Sequence, residues 1–336
     1  MTARETFENR ILIPDMIADP DVPVSANSHI LKGAAFATSW QVTLFADADA
    51  RLEGLEGRLQ AVLDQIDKEM SPYRIDSDLT RFNLAPDWSF VALPETMMRV
   101  VRHALEIADL SEGAFDPALL SAVELWGFGA KSVVVDVPQA ADIQTLQAQS
   151  HNWRDIIWQP DGLIKPEGVR LDLCAIAKGY AVDALMDVLK ADGSIRSALV
   201  EVGGELKGWG VRADGLPWWV EVETPTEAVR ARTLVALCDM AVATSGERIR
   251  AFVHEGRVMS HTMDARTQSP TRSNIVSATV FDPQGWRADA LATALVVMDE
   301  ARGMEFAKAH QLPCLLWVRE GAGLRVCLSP RLEGWL

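Results

Sequence analysis

The apolar positions of this chain recur with two different periods. Leu52, Leu55, Leu59, Val62, Leu63, Ile66 and Met70 are spaced mostly by three and four, which puts them on one face of a helix. Ser71-Pro72 ends that helix, because a residue before proline is pushed out of the helical region. A second helix is predicted from Pro94 to Leu110, burying Val101, Ala104, Leu105 and Ala108 and stopping before Gly113. His103 lies on it and reads as a packed or solvated side chain. Further helices are expected from about Ile176 to Ala191, Arg287 to Val297 and Ala301 to His310.

Between the helices the runs are short and β-prone. Ala34 to Ala46 reads as a first strand. Pro160-Asp161-Gly162 and Pro166-Glu167-Gly168 break the stretch from Asp155 to Leu173 into hairpin-like pieces. From Ser197 to Val280 successive short strands are punctuated at Gly203-Gly204, Asp214-Gly215 and Glu255-Gly256, and two last strands flank Gly321 to Gly323. Helices mixed with hairpin-joined strands predict an α+β fold, with mixed or antiparallel sheets flanked by helices, rather than a doubly wound parallel sheet. One compact domain is expected over residues 33–336. Residues 1–32 are acidic and proline-bearing and are expected to form an N-terminal tail.

Composition narrows the classes. Of 336 residues, 49% are hydrophobic and 24% charged, enough apolar material for a large core. The net charge of −15 argues against nonspecific binding to nucleic acid or to an anionic membrane. Cys174, Cys238, Cys314 and Cys327 show no CxxC spacing, which suits buried thiols better than a zinc site or a disulfide framework. No basic leader, lipobox cysteine, twin arginine or long apolar run is present. A cytoplasmic protein is therefore expected from the chain as written, and an exported one if translation starts upstream.

Candidate chemistry is dispersed. Asp289 and Thr293 are four apart in a helical pattern, so a carboxylate and a hydroxyl share one face and offer the hard oxygens that Mg²⁺ prefers. An acidic first turn beside a space-filling threonine explains the same pair on spacing alone. Leu171 to Asp183 runs from an apolar strand into a helix with Lys178 in an early turn, a place where phosphate can bind, although Lys178 is by default a surface residue. Neither GxGxxG nor GxxxxGK[ST] occurs there. Gly203-Gly204 permits close approach of backbone to a ligand or simply makes a tight turn, and Ala243 to Gly246 offers hydroxyls or ends a strand. His261 follows an apolar run and carries little weight alone. Tyr73 could stack on a flat ring and Asp116 accept from ring or ribose groups. A half-buried tyrosine and a turn aspartate account for them equally.

Seven segments in this order do carry a resemblance. MSPYRIDSDLTRFN, GAFDPALLSAVELWGFG, LDLCAIAKGYAVD, LVEVGGELKGWG, ATSGERIRAF, SHTMDARTQSP and ADALATAL are similar to the ApbE family of FAD:protein FMN transferases, over roughly Phe36 to Val297. The resemblance implies that FAD is contacted at Phe36, where methionine is usual, and at Tyr73, Ala114, Phe115, Asp116, Asp172, Lys178 and Ile275. It implies Mg²⁺ at Asp289, Thr293 and the carbonyl of Ala175, and a role in transfer for His261. The implied reaction moves FMN from FAD onto a serine or threonine hydroxyl of an acceptor protein and releases AMP. Hydrolysis of FAD to FMN and AMP, and a non-catalytic FAD-binding protein, are the competing expectations. Four further positions depart from the family pattern: Gln268 stands where glycine is usual, Ala265 for proline, Arg248 for an aromatic, and Cys174 for a smaller residue.

Overall fold

A computed structural model of the chain describes residues 9–14, 21–130, 137–149, 153–225, 232–246, 251–321 and 323–336. Its centre is an eight-stranded sheet in which every neighbouring pair is antiparallel. In spatial order the strands are Gly323–Leu328, Cys314–Glu320, Ile275–Asp282, Met240–Gly246, Glu205–Trp209, Ile195–Val202, Thr38–Ala46 and Asn27–Ala35. Strand alternation decides what each face meets. Trp40, Val42 and Leu44 point to one side with Val200, Val202 and Val280, where the helices Leu55–Met70, Glu95–Leu110, Cys174–Lys190 and Gly285–Val297 bury their apolar faces. Val242, Phe281, Leu315 and Trp317 meet a second core on the other side. A small sheet of Arg10–Leu12, Thr233–Leu237 and Trp218–Glu221 supplies Leu12, Val235, Leu237 and Trp218 to it. The α+β architecture expected from the hairpin signals is the one observed. Among the described residues no helix is long and apolar enough to cross a membrane.

Two local expectations need correction. The single strand expected over Ala34 to Ala46 is a hairpin, reversed at Phe36 and Ala37 with φ of 53° and 58°. A two-residue hairpin turn with positive φ at both positions is usually advertised by Asn-Gly, a signal that Phe-Ala lacks. The tail drawn to residue 32 also carries structure. Arg10–Leu12 pairs in parallel with the Thr233–Leu237 strand, and the edge strand Asn27–Ala35 crosses the boundary placed at residue 33. Three paired residues are too few to show a period. The helices Asp78–Leu84, Leu120–Leu125 and Ala140–Gln149 were likewise too short or too weakly amphipathic to be legible.

One contact fixes the geometry used below. The helices Cys174–Lys190 and Gly285–Val297 cross at Gly179 and Gly285 so closely that a Cβ on Gly179 would lie 2.2 Å from the Gly285 carbonyl oxygen. Only hydrogen fits there. Gly179→Ala is therefore expected to cost about 1–3 kcal/mol or more by overpacking, and to weaken every ligand contact that bridges the two helices. Chemical denaturation of the variant, with titration of the flavin that the resemblance implies, checks both effects.

Candidate functional site

The antiparallel pairing brings two hairpin turns and the facing ends of a third strand pair to one end of the sheet. Ala35 pairs with Thr38, Val202 with Glu205, and Gly246 with Ser277, while Trp40 opposite Val202 and Val242 opposite Leu206 fix the common end. The two crossing helices present their polar residues there. Asp289 is 3% exposed, and its Oδ2 accepts the backbone N–H of Gly179 at 2.9 Å. Lys178 Nζ donates to Glu205 Oε1 at 2.5 Å, and the lysine stem passes Gly203. Thr293, one turn beyond Asp289, shares a hydrogen bond with Ser245 at 2.9 Å. A second ion pair braces the crossing: Asp183 Oδ1 accepts from Lys207 Nζ and its Oδ2 from the Trp286 N–H at the start of the Gly285–Val297 helix.

The start of the Cys174–Lys190 helix gathers the next group. Asp172 Oδ1 accepts the Cys174 N–H at 2.8 Å, leaving Ala175 in the first turn and the Cys174 side chain exposed. The Asp172 N–H donates to the Pro117 carbonyl, which ties this turn to the loop of Ala114, Phe115 and Asp116. That loop is held by Ser111 Oγ, which accepts the Phe115 N–H, and by Asp116 Oδ1, which accepts the Ala118 N–H. Buried Asn83 clamps Leu171 through both its N–H and its carbonyl, and so anchors the segment that carries Tyr73, itself 47% exposed.

Other residues named by the resemblance sit differently. Phe36 is at a hairpin tip in a left-handed conformation that costs a non-glycine residue about 1–2 kcal/mol, the kind of strain that concentrates at ligand sites. Ile275 is 1% exposed, with its side chain in the main core against the position of Gly303. His261 stacks edge-on at 6.3 Å from Phe128 and lies outside the Lys178–Glu205–Asp289 hydrogen-bond set. Its loop rests on a small separate core of Leu119, Ala122, Trp126 and Met263, and Trp126 Nε1 donates to the Gln268 carbonyl at 2.9 Å. Gln268 has φ 51°, a conformation glycine adopts without strain, and its amide donates to the Ala265 carbonyl. Arg248 lies outside the described residues.

Glu205 is a site residue that the sequence does not single out, since the paired glycines before it account for the segment as a turn. A signal was available. Glu205 and Lys207 are two apart in a strand, so both face the helices, and both are buried there against Lys178 and Asp183 of opposite charge.

The electrostatics of the cluster follow from burial. Burial pushes the Asp289 carboxyl above the usual range, against the pull of Lys178 and of the Gly179 N–H. Burial, then repulsion from Asp289, raises Glu205 despite its contact with Lys178. Burial alone would lower Lys178, but Glu205 and Asp289 outweigh it and hold the ammonium charged. Two carboxylates against one ammonium leave the cluster receptive to a cation. Among the described residues no group of three His, Cys, Asp or Glu side chains is placed to hold a metal. One carboxylate with a hydroxyl and a carbonyl is a donor set that fits Mg²⁺, which keeps waters and completes its shell with substrate phosphates. A cleft of about 670 Å³ lined by Arg272, Ser273, Asn274, Asp299, Glu300, Ala301 and Met304 contains none of these residues.

Asp116 is pushed up to about 6 by burial. Only its ionised form offers both oxygens as acceptors, so below about pH 6 the protonated form prevails, and at the flavin contact that the resemblance implies this is expected to weaken binding. FAD affinity followed by flavin fluorescence is expected to fall between pH 7 and pH 5, and Asp116→Asn to flatten that dependence. An unaltered slope in the variant would exclude Asp116 as its source.

Residues 36–316 match the sequence profile of the ApbE family. The FAD:protein FMN transferase of Vibrio cholerae serotype O1 is 33% identical over 91% of this chain and 92% of its own length. That of Escherichia coli strain K12 is 30% identical over 94% and 92%. Among solved structures, the apo form of the Pseudomonas stutzeri flavinyl transferase ApbE superposes with a TM-score of 0.86 at 35% identity, covering 92% of this chain and 97% of that one. The Vibrio cholerae flavin transferase ApbE gives 0.84 at 32% identity, over 93% and 100%.

Proposed function

The chain belongs to the ApbE family, and on that premise we propose that it transfers FMN from FAD to a serine or threonine hydroxyl of an acceptor protein, with Mg²⁺ required. The observation that carries this reading is the Gly179–Gly285 crossing, which holds Asp289, Lys178 and Thr293 at one end of the sheet. Phosphoryl transfer asks mainly for positioning and charge neutralisation, and this cluster has the groups for both.

The acceptor oxygen attacks the phosphorus nearer riboflavin. The bond from that phosphorus to the bridging oxygen breaks, AMP leaves with the bridging oxygen, and the hydroxyl proton passes to the His261 imidazole. Lys178 binds the diphosphate, and Glu205 keeps its ammonium in place. Asp289, Thr293 and the Ala175 carbonyl would hold Mg²⁺, which when bound offsets negative charge on the diphosphate. Asp172, Asp116 and Tyr73 orient the flavin end from the joined 113–117 and 171–174 turns.

The test mixes protein, FAD and Mg²⁺ with a candidate acceptor and weighs the acceptor by intact mass spectrometry. The expected result is a gain of one FMN per acceptor with an equal yield of AMP, and neither with EDTA. AMP beside an unmodified acceptor would replace this reading with hydrolysis. Bound FAD with no product across a panel of acceptors would replace it with a carrier.

A further inference from the structure

Glu205 is 3% exposed, and its two carboxylate oxygens are used unequally. Oε1 takes the Lys178 ammonium, whereas Oε2 is buried and accepts no hydrogen bond from any described residue. A buried acceptor left unpaired is destabilising, and more so when charged, so such a group calls for a donor that arrives with a ligand. Lys178 is already committed to Oε1. The neighbouring Asp183–Lys207 pair is neutral and closed on itself. With both carboxylates ionised, a form that burial disfavours and a divalent cation favours, Lys178, Glu205 and Asp289 sum to one excess negative charge. A divalent cation turns that into one positive charge facing a diphosphate of two negative charges. Mg²⁺ parts reluctantly with its waters, and those waters are strong donors in need of acceptors.

We propose that Glu205 is a positioning residue with two tasks, fixing Lys178 through Oε1 and accepting through Oε2 from a water that Mg²⁺ brings. This rests on the cation-dependent transfer proposed above. Glu205 thereby couples the two charges that meet the diphosphate, and an acceptor of this kind strengthens and orients the donor water it receives.

Calorimetric titration of Mg²⁺ tests it, with FAD held above its dissociation constant for wild type, Glu205→Gln and Lys178→Met. Glutamine keeps a carbonyl for Lys178 but presents an amide N–H₂ where the water needs an acceptor. Glu205→Gln is expected to weaken Mg²⁺ binding by about 10–100-fold. Its melting temperature without Mg²⁺ should hold or rise, because a buried charge is gone. Lys178→Met is expected to weaken FAD binding while Mg²⁺ binding holds or tightens, since a competing positive charge has left. The opposite signs separate the two tasks. Equal Mg²⁺ affinity in wild type and Glu205→Gln would overturn the proposal, as would a loss of Mg²⁺ in Lys178→Met matching that in Glu205→Gln. Should Glu205→Gln fail to fold, Glu205→Asp replaces it, with a smaller loss expected and an unchanged affinity overturning the proposal. Wild type that takes up no Mg²⁺ would instead remove the cation from the reaction altogether, a different failure from a silent Glu205.

Discussion

Asp289→Asn is expected to lower FMN transfer by about a thousandfold or more while the protein stays folded. The carboxylate is buried on the helix that crosses Lys178's helix, and its Oδ2 holds the Gly179 N–H. An asparagine carbonyl can accept the same N–H, so the tie between helices survives the substitution. What disappears is the negative charge that would hold Mg²⁺. Charge stabilisation by a metal is worth several kcal/mol in phosphoryl transfer, and each 1.36 kcal/mol is tenfold in rate. The stability sign runs the other way. Burial raises the carboxyl's pKa in the folded state, so the ionised group costs stability as pH rises above its unfolded value of about 4. Near pH 7 the neutral amide lifts that cost, and the melting temperature should not fall. Single-turnover transfer and a thermal melt on one preparation decide the matter. Full transfer by Asp289→Asn would remove Asp289 from the cation site.

His261→Ala is expected to separate chemistry from binding. A positioned general base contributes typically 10²–10⁴-fold, so transfer should fall within about that range. FAD affinity should change much less, because His261 lies on a loop carried by the small Leu119–Trp126–Met263 core and outside the bonds around Lys178 and Asp289. Phe128 is among its neighbours in space, an aromatic ring that meets the imidazole edge-on. Transfer rates at saturating FAD, beside a flavin-binding titration, give both quantities. Parallel loss of rate and affinity would assign His261 to binding.

The sequence was most legible where many residues repeat one pattern. The apolar face from Leu55 to Met70 and the buried positions Val101, Ala104 and Ala108 were plain from spacing and lie in the main core, while Leu105, expected beside them, is half-buried at its margin. Legibility failed where structure rests on a single contact. Phe36 and Ala37 turn the chain without a turn residue, and Arg10–Leu12 pairs through three residues whose partners lie more than 200 positions away. The site divides the same way. Asp289 with Thr293 is a helical spacing that any reader can see, but the same spacing suits an ordinary first turn. Only the Gly179–Gly285 crossing adds Lys178 and Glu205, and thereby a reason for the carboxylate to be buried. Resemblance supplied roles for Tyr73, Asp116 and His261 that no periodicity carries.

The Gly179–Gly285 contact also bears on how far such a chain can diverge. Where two helices meet through side chains, each change of volume in the packing resets their separation. Here backbone meets backbone, and the separation is set by atoms that every amino acid shares. The surrounding apolar residues are then free to drift so long as two positions keep hydrogen for a side chain. In this chain the spacing between Lys178 and Asp289 is thus held through the main chain rather than through the residues that pack around it.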